Sequence, residues 1–373
     1  MSTLADTPLE HDAITLPEVA APQNLTAVYR LLDASANRAR EGLRVIEDSV
    51  RMIGNDGWLS RQLKEMRHAL SSALRILPDD ALLASRDTPG DVGTRISTTA
   101  EGTRTSPADV VAAGFKRLQE SLRSLEEYGK IIDGYFASRI EPIRYQSYTI
   151  EKAVRLNELA HKTLDDRPLY LLLTEKMCRQ PVGQTLKAAL QAGVRIVQVR
   201  EKAMSDRILL DHVRRVGDLA HEYNALVVMN DRPDLAAIAE TDGVHVGQDE
   251  LTIAQVRRIV GPRMMVGMST HVLDQAEAAV RDGATYIGVG PTFPTTTKSF
   301  MEFAGLDYVR EVAREIVLPA YAIGGITLEN AASVVSAGAT RLAVSSAICS
   351  AEAPYDATMR LMEILVAASH HKD

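Results

Sequence analysis

The feature that most constrains the fold of this chain is an even alternation of short apolar runs and amphipathic segments from about residue 167 onward. The runs have the length and composition of buried strands, and the segments between them repeat apolar residues at helical spacing. We therefore predict eight strands, at 169–173, 196–200, 226–230, 243–246, 265–268, 286–289, 320–323 and 342–345. The predicted helices between them cover 185–192, 206–223, 253–260, 273–282, 308–315 and 328–337.

Eight strand–helix units within about 200 residues predict an α/β fold, a (β/α)8 barrel that occupies residues 165–373. A doubly wound open sheet is the alternative. The even spacing of the units favours the closed barrel.

The chain before residue 165 has a different pattern. From residue 24 to residue 164 apolar side chains recur every three or four positions, which predicts an all-helical domain. Residues 1–23 are acidic and rich in proline and alanine, without the apolar core of a signal peptide, and we expect a disordered leader. Between about 78 and 107 the chain turns polar, which predicts a long loop inside the helical domain.

The helical part contains an internal repeat. The pattern Arg-x-x-Glu-x-Leu-Arg occurs at 38–44 and again at 117–123, and an acidic pair follows each copy. On a helix the charged residues of each copy share one face. One interpretation is a solvated face with ion pairs inside each helix. The other, which the repetition favours, is a pseudo-symmetric bundle in which the two stripes form a shared polar site.

Composition narrows the classes of function. The formal net charge of −7 argues against a general nucleic-acid binder. No apolar run approaches the roughly 20 residues of a membrane-spanning helix. We expect a cytoplasmic protein that acts on small molecules, and the sequence leaves open whether copies of the chain associate. Cys178 and Cys349 lack metal-ligand spacing and are expected to be reduced thiols.

Polar residues follow strand after strand, at the end of a barrel where active sites form. They are Gln198, Arg200 and Lys202 at the end of the second strand, Asn230 and Asp231 at the end of the third, Asp249 and Glu250 after the fourth, Ser269 after the fifth, and Ser345 and Ser346 at the end of the eighth; a glycine, Gly325, follows the seventh. The sixth strand leads into a loop with Thr295, Thr296, Thr297 and Lys298, whose hydroxyls and ammonium suit a phosphate group.

The charged members of this set predict a diphosphate site. Arg200, Lys202 and Lys298 supply positive charge. Asp231, with one of the two acids after the fourth strand, supplies the oxygen ligands that Mg²⁺ prefers. Cations and Mg²⁺ around one centre indicate a polyanion, and a diphosphate fits best.

A second phosphate would lie at the other side, where Gly325 and the backbone of 345–346 allow close approach. No nucleophile with a partner base is evident. We therefore expect catalysis to consist mostly of positioning and charge stabilisation.

These residues resemble the thiamine-phosphate synthase family over residues 168–350. The matching segments are Gln198-Val-Arg-Glu-Lys202, Asn230-Asp231-Arg232, Asp242-Gly-Val-His-Val-Gly-Gln248, Gly267-Met-Ser269, Gly290-Pro-Thr-Phe-Pro-Thr-Thr-Thr-Lys298 and Ala322-Ile-Gly-Gly-Ile326. The resemblance implies an enzyme that joins hydroxymethylpyrimidine diphosphate to a thiazole phosphate, with Mg²⁺ as cofactor. For these substrates we expect a dissociative substitution, in which the diphosphate departs before the thiazole nitrogen bonds.

The resemblance also implies roles for single residues. Gln198, Val199, Arg200, Glu201, Lys202 and Asn230 would bind the pyrimidine diphosphate; Ser269 and Lys298 would contact its diphosphate; Thr295, Thr296, Thr297, Gly325, Ser345 and Ser346 would hold the thiazole phosphate. Arg200, Lys202, Ser269 and Lys298 would be the catalytic residues. Asp231 would bind Mg²⁺ together with Glu250, which the spacing favours, or with Asp249, because the family often has Gln-Glu-Asp where this chain has Gln-Asp-Glu at 248–250.

The segment 33–48 resembles an all-helical domain that is found fused to this synthase and is associated with phosphorylation of hydroxymethylpyrimidine phosphate. It implies ATP as a further substrate, although the chain has no Walker-type loop. Two alternatives remain at this point. The helical domain could be a non-catalytic module for dimerisation or scaffolding, and the barrel could be a phosphate-binding relative without synthase activity.

Overall fold

The computed structural model describes residues 22–92, 103–294 and 303–369. Within these ranges, five helices precede a closed barrel of eight parallel strands, which confirms the predicted fold class. Most of the predicted leader, and Thr295 to Lys298 of the threonine-rich loop, lie outside the described residues. The first five helices are α1 (Pro22–Met52), α2 (Gly57–Leu74), α3 (Asp79–Ala84), α4 (Pro107–Ile132) and α5 (Gly134–Leu164).

Every strand of the barrel pairs with its neighbour in the sequence, and β1 pairs with β8 to close the sheet. The strands are β1 (Leu169–Leu173), β2 (Ile196–Val199), β3 (Leu226–Asn230), β4 (Gly243–Val246), β5 (Met265–Thr270), β6 (Tyr286–Val289), β7 (Ala320–Ile323) and β8 (Leu342–Val344). All eight predicted strands are present. Their ends differ from the prediction by no more than two residues.

The outer layer of the barrel consists of helices between and after the strands. They are α6 (Val182–Gln191), α7 (Asp206–His221), α8 (Pro233–Ala239), α9 (Ile253–Val260), α10 (Leu273–Asp282), α11 (Gly305–Glu315), α12 (Ala331–Ser336), α13 (Ser346–Cys349) and α14 (Pro354–Ser369). The sequence did not predict α8, because seven residues hold about two turns and show little periodicity.

The predicted loop at 78–107 needs a correction. Its first part forms the helix α3, which begins after Pro78 with two acids in the first turn and buries Leu82. Acidic side chains favour a helix start, but six residues are too few to show a helical repeat. Pro107, at the other end, is the first residue of α4.

The two copies of the internal repeat make matched contacts. Glu47 is buried and lies 2.9 Å from Arg67 of α2, whereas Glu126 is buried and lies 2.6 Å from Arg144 of α5. The corresponding acid of each copy therefore pairs with an arginine of the next long helix. These contacts support a pseudo-symmetric bundle.

The second acid of each copy behaves as the simpler interpretation predicted. Asp48 pairs with Arg44 at 3.7 Å, and Glu127 pairs with Arg123 at 2.9 Å, each within its own helix and at the surface. Such exposed pairs stabilise a helix by only a few tenths of a kcal/mol.

The helical region packs against the end of the barrel where the strands begin. Lys152 donates to the carbonyl oxygen of Asp282 at 2.8 Å, and Nε2 of His161 lies 2.8 Å from the carbonyl oxygen of Val317. Arg61 pairs with Glu315 at 2.8 Å. Since 282, 315 and 317 lie just before β6 or β7, the opposite end of the barrel stays open.

None of the helices in the described ranges is long and apolar enough to cross a membrane. Cys178 and Cys349 are both free cysteines.

Removing the Glu126 carboxylate should destabilise the helical region. Glu126→Ala leaves the buried Arg144 guanidinium without its partner, and deleting one member of a buried ion pair costs about 3–5 kcal/mol. The matched control Glu127→Ala removes an exposed acid and should change the free energy of unfolding by less than about 1 kcal/mol. Urea unfolding followed by circular dichroism measures both changes, and equal effects would contradict the prediction.

Candidate active site

A cavity opens at the carboxyl ends of the strands and brings together most of the residues predicted from the sequence. The predicted residues that line it are Gln198, Arg200, Lys202, Asn230, Asp231, Glu250, Ser269, Gly325, Ser345 and Ser346. They come from six of the eight strand ends. Residues distant in sequence therefore meet because the sheet closes.

Three predicted residues lie elsewhere. Val199 is fully buried in the layer between strands and outer helices, and the Glu201 carboxylate accepts a hydrogen bond from the backbone N–H of Glu175. Asp249 is exposed and does not line the cavity, whereas Glu250 does. The structure thus favours Glu250 over Asp249 as the second acid of the site.

The alternation of side chains along β2 explains part of this result. Successive residues of a strand point to opposite faces, so Gln198 and Arg200 point inward and Val199 points outward. The amide of Gln198 donates to the hydroxyl of Tyr170 at 3.0 Å and is thereby fixed in the barrel interior.

A chain of hydrogen bonds runs beneath the cavity through His245. Its Nε2 lies 2.9 Å from the hydroxyl of Ser269, and its Nδ1 lies 3.2 Å from the hydroxyl of Tyr286. That hydroxyl lies 2.9 Å from the hydroxyl of Tyr170, which also accepts from Gln198. The network fixes Ser269 and Gln198, two residues that the sequence placed in the site.

Burial determines the charge of this network. It lowers the pKa of His245 to about 4, with a smaller contribution from the charge of Arg200. Burial also raises the pKa of Tyr170 and of Tyr286 above the ordinary value for tyrosine. The network is therefore neutral near pH 7. It orients the side chains of the site without adding a net charge beside a bound anion.

The acidic side of the cavity is held by unusual backbone geometry. Asp231 has a φ of 62°, a left-handed conformation that aspartate tolerates better than most residues, and its N–H donates to the carbonyl oxygen of His245 at 2.9 Å. Lys202 lies 3.6 Å from the Asp231 carboxylate. Backbone strain of this kind is often found at functional sites.

The turn after β7 requires glycine. Gly324 and Gly325 have φ values of 98° and 65°, and a Cβ atom on Gly325 would lie 2.6 Å from the carbonyl oxygen of Pro294. The backbone of Gly324 also accepts a hydrogen bond from the N–H of Phe293 at 3.0 Å. The turn therefore supports the start of the threonine-rich loop and keeps its own backbone open to the cavity.

Sequence reasoning missed several residues of this cavity. Tyr170 and Tyr286 line it, and so does His245, whose direction cannot be read from one strand alone. The missing signal was strand register. Residue 245 pairs with Asn230 and with Gly267, which places it in the inward-facing row below Ser269.

Two family models match the chain. A model described as "Thiamine monophosphate synthase" matches residues 169–348, and one described as "ThiD2 family" matches residues 30–153. A thiamine-phosphate synthase of Rhodopirellula baltica is 42% identical over 352 residues, which cover 91% of this chain and 92% of the relative. A thiamine-phosphate synthase of Gloeobacter violaceus is 40% identical, and the match covers 91% of this chain and 97% of the relative.

The chain belongs to the thiamine-phosphate synthase family. It is a transferase of thiamine biosynthesis that carries a ThiD2-type region before its synthase barrel. A solved thiamine phosphate pyrophosphorylase from Pyrococcus furiosus superposes with a TM-score of 0.51 at 30% identity, and covers 55% of this chain and 98% of that one. The family resemblance seen in the sequence is thereby confirmed for both parts of the chain.

The imidazole of His245 should stay neutral well below the ordinary pKa of histidine. Its pKa is lowered from 6.5 to about 4, so the unfolded chain binds more protons between these values. The contribution of His245 to stability is then complete above pH 6.5 and is lost as the pH falls toward 4. An NMR titration of the histidine resonances, assigned with His245→Asn, measures the pKa. A His245 resonance that titrates near 6.5 would refute the prediction.

Proposed function

We propose that the barrel joins 4-amino-2-methyl-5-(diphosphooxymethyl)pyrimidine to a thiazole phosphate, with release of diphosphate and formation of thiamine phosphate. The observation that carries the proposal is one cavity lined by cations, by two carboxylates and by small polar residues at the ends of six strands. A site for a single phosphate would not need both the cations and the paired acids.

The pyrimidine diphosphate would lie against β2, β3 and β5. Arg200 and Lys202 would contact the diphosphate, and Gln198 and Asn230 would hydrogen-bond the pyrimidine. Ser269 would donate to the diphosphate while its own position is fixed by His245 at 2.9 Å. Lys298, which lies outside the described residues, would add a third cation.

The residues present fit a magnesium ion. Asp231 and Glu250 both line the cavity, and Mg²⁺ commonly takes one or two carboxylates and leaves its other positions to water and substrate phosphates. Among the residues that the structure describes, no group of three or more histidines, cysteines and acids is placed to hold a metal. When bound, Mg²⁺ would neutralise part of the charge of the departing diphosphate.

The thiazole phosphate would lie at the ends of β7 and β8. Gly325 lines the cavity, and its backbone N–H would donate to the phosphate. Ser345 donates to the carbonyl oxygen of Leu172 at 2.8 Å, which fixes the turn into Ser346. Thr295, Thr296 and Thr297, beyond the described residues, would supply further hydroxyl donors.

The proposed reaction is a dissociative substitution. The bond between the methylene carbon and the diphosphate oxygen breaks first, and the electron pair leaves with the diphosphate. Arg200, Lys202 and Lys298 stabilise that developing charge, and the aminopyrimidine supports the methylene cation. The lone pair of the thiazole nitrogen then forms the new carbon–nitrogen bond, and no proton has to be removed. The chain contributes mainly by positioning the two substrates.

We also propose that the helical region phosphorylates hydroxymethylpyrimidine phosphate with ATP. The match of residues 30–153 to the ThiD2 family supports this activity, and its product is the substrate proposed for the barrel. A dimerisation or scaffold module is the second candidate. The boundaries 24–164 and 165–373 would separate two domains, since α5 ends at Leu164 and β1 begins at Leu169.

A two-part assay on the full chain tests both activities. The first reaction contains hydroxymethylpyrimidine phosphate, ATP, Mg²⁺ and thiazole phosphate. The second contains the pyrimidine diphosphate, Mg²⁺ and thiazole phosphate, without ATP. We expect thiamine phosphate in both. Product from the diphosphate alone would leave a synthase with a non-kinase helical region, and product from neither reaction would refute the synthase proposal.

Glu250→Gln should raise the Mg²⁺ concentration needed for half-maximal synthase activity. We expect an increase of at least about tenfold, because the loss of a residue that only supports a metal ligand already lowers metal affinity by about 10- to 100-fold. The control is Asp249→Asn, which removes the neighbouring charge outside the cavity and should leave the requirement nearly unchanged. A larger effect at Asp249 would exchange the two assignments.

A further inference from the structure

The helical region has an opening of its own between α1 and α4. Ser35 and Arg38 of α1 line one side, and Lys116, Arg117 and Glu120 of α4 line the other, with Arg104 just before α4. None of these residues lines the barrel cavity. The opening joins the first arginine of each repeat copy, so part of the predicted shared polar site exists.

The opening is strongly basic. It has four cationic side chains and one carboxylate, in a chain with a net charge of −7. Arg38, Lys116 and Arg117 make no hydrogen bond or ion pair with any residue that the structure describes. Clustered cations repel one another, and such a cluster is stabilised when an anion binds between them.

The other arginines of the repeat behave differently. Arg44 and Arg123, six residues further along each copy, pair with acids of their own helices. Their partners, Asp48 and Glu127, occupy the same position in the two copies of the repeat. The repeat therefore neutralises one arginine of each copy within the fold and leaves Arg38 and Arg117 available to a ligand.

Close backbone packing brings the two free arginines together. A Cβ atom on Gly42 would lie 3.0 Å from the carbonyl oxygen of Gly114, and one on Gly114 would lie 3.0 Å from Ile46. Both glycines are buried. This contact lets α1 and α4 approach closely beside the opening, so the equivalent positions 38 and 117 reach the same space.

We propose that this opening binds the phosphate groups of a small phosphorylated ligand, with Arg38 and Arg117 as the principal contacts. A guanidinium group donates two parallel hydrogen bonds to phosphate oxygens, which suits two arginines that face one opening. The largely buried Ser35 and Ser121 line the same space and supply hydroxyl donors. Glu120, the one acid, suits an amino or hydroxyl group of the same ligand.

The identity of the ligand rests on the kinase activity proposed above. A kinase of hydroxymethylpyrimidine phosphate handles two phosphorylated molecules, ATP and the pyrimidine phosphate, and the opening would bind one of them. The presence of the phosphate site itself rests only on the geometry and charge of α1 and α4. The two inferences can therefore fail separately.

Calorimetric titration of the full chain tests the site. ATP with Mg²⁺ and hydroxymethylpyrimidine phosphate are titrated separately into the wild type and into Arg38→Gln/Arg117→Gln. Because a hydrogen bond to a charged group contributes about 1.5–3 kcal/mol, we expect affinity for one ligand to fall roughly tenfold to hundredfold or more. The ligand whose binding is lost identifies the occupant.

Two further variants locate the effect. Arg40→Gln/Arg139→Gln removes two exposed charges of the helical region that do not line the opening, and should change affinity by less than about twofold. Arg263→Gln removes an exposed cation of the barrel that lines neither opening and should also leave this binding in place. Circular dichroism and thermal melting show whether each variant is folded.

The outcomes separate the site from the kinase. Unchanged affinity for both ligands in a folded Arg38→Gln/Arg117→Gln variant overturns the site. If the wild type turns over no ATP, the kinase proposal fails, and tripolyphosphate replaces the two ligands as the probe. Loss of tripolyphosphate binding only in Arg38→Gln/Arg117→Gln then supports the site. Equal binding in all variants, or none in the wild type, overturns it.

Discussion

The closure of the sheet through the pairing of β1 with β8 is the constraint on which the rest of the barrel depends. A closed parallel sheet has one interior, and each strand must send every second side chain into it. Three tyrosines, Tyr170, Tyr286 and Tyr321, fill this interior with ring centroids 5.2–5.7 Å apart. Because the tyrosines fill the interior, the inward-facing residues nearer the carboxyl ends of the strands line the open end, where the cavity lies.

The hydrogen bonds of the interior connect packing to chemistry. Buried hydroxyl and imidazole groups need partners, and in this barrel they find them in one another and in Gln198 and Ser269. The same bonds that satisfy the core therefore orient two side chains at the substrate level. A catalytic strategy based on positioning requires such support, because side chains on a loose scaffold would lose the geometry on which it depends.

Much of the fold was predictable because its signals are local. Each strand of the barrel is visible in the sequence as an apolar run. The alternation of polar residues at Gln198 and Arg200 also indicates which face of β2 points inward. Val199 was placed in the site only because it lies within a family motif, and alternation along the strand sends it to the opposite face. His245 could not be assigned, since its direction depends on the register between β4 and its neighbours, which no single strand encodes. The short helices α3 and α8 were missed because fewer than about two turns give no periodic signal.

The junction between the helical region and the barrel has a consequence for how a pathway intermediate would travel. The contacts through Lys152 and His161 lie at the starts of the strands, and the synthase cavity opens at their far ends, with the packed tyrosines in between. Within one copy of the chain, a pyrimidine diphosphate made by the helical region would have to pass through solvent before entering the barrel. It would then mix with an added, isotopically labelled pool. The covalent connection therefore keeps the helical region and the barrel in equal amounts, but it does not provide a direct channel between them.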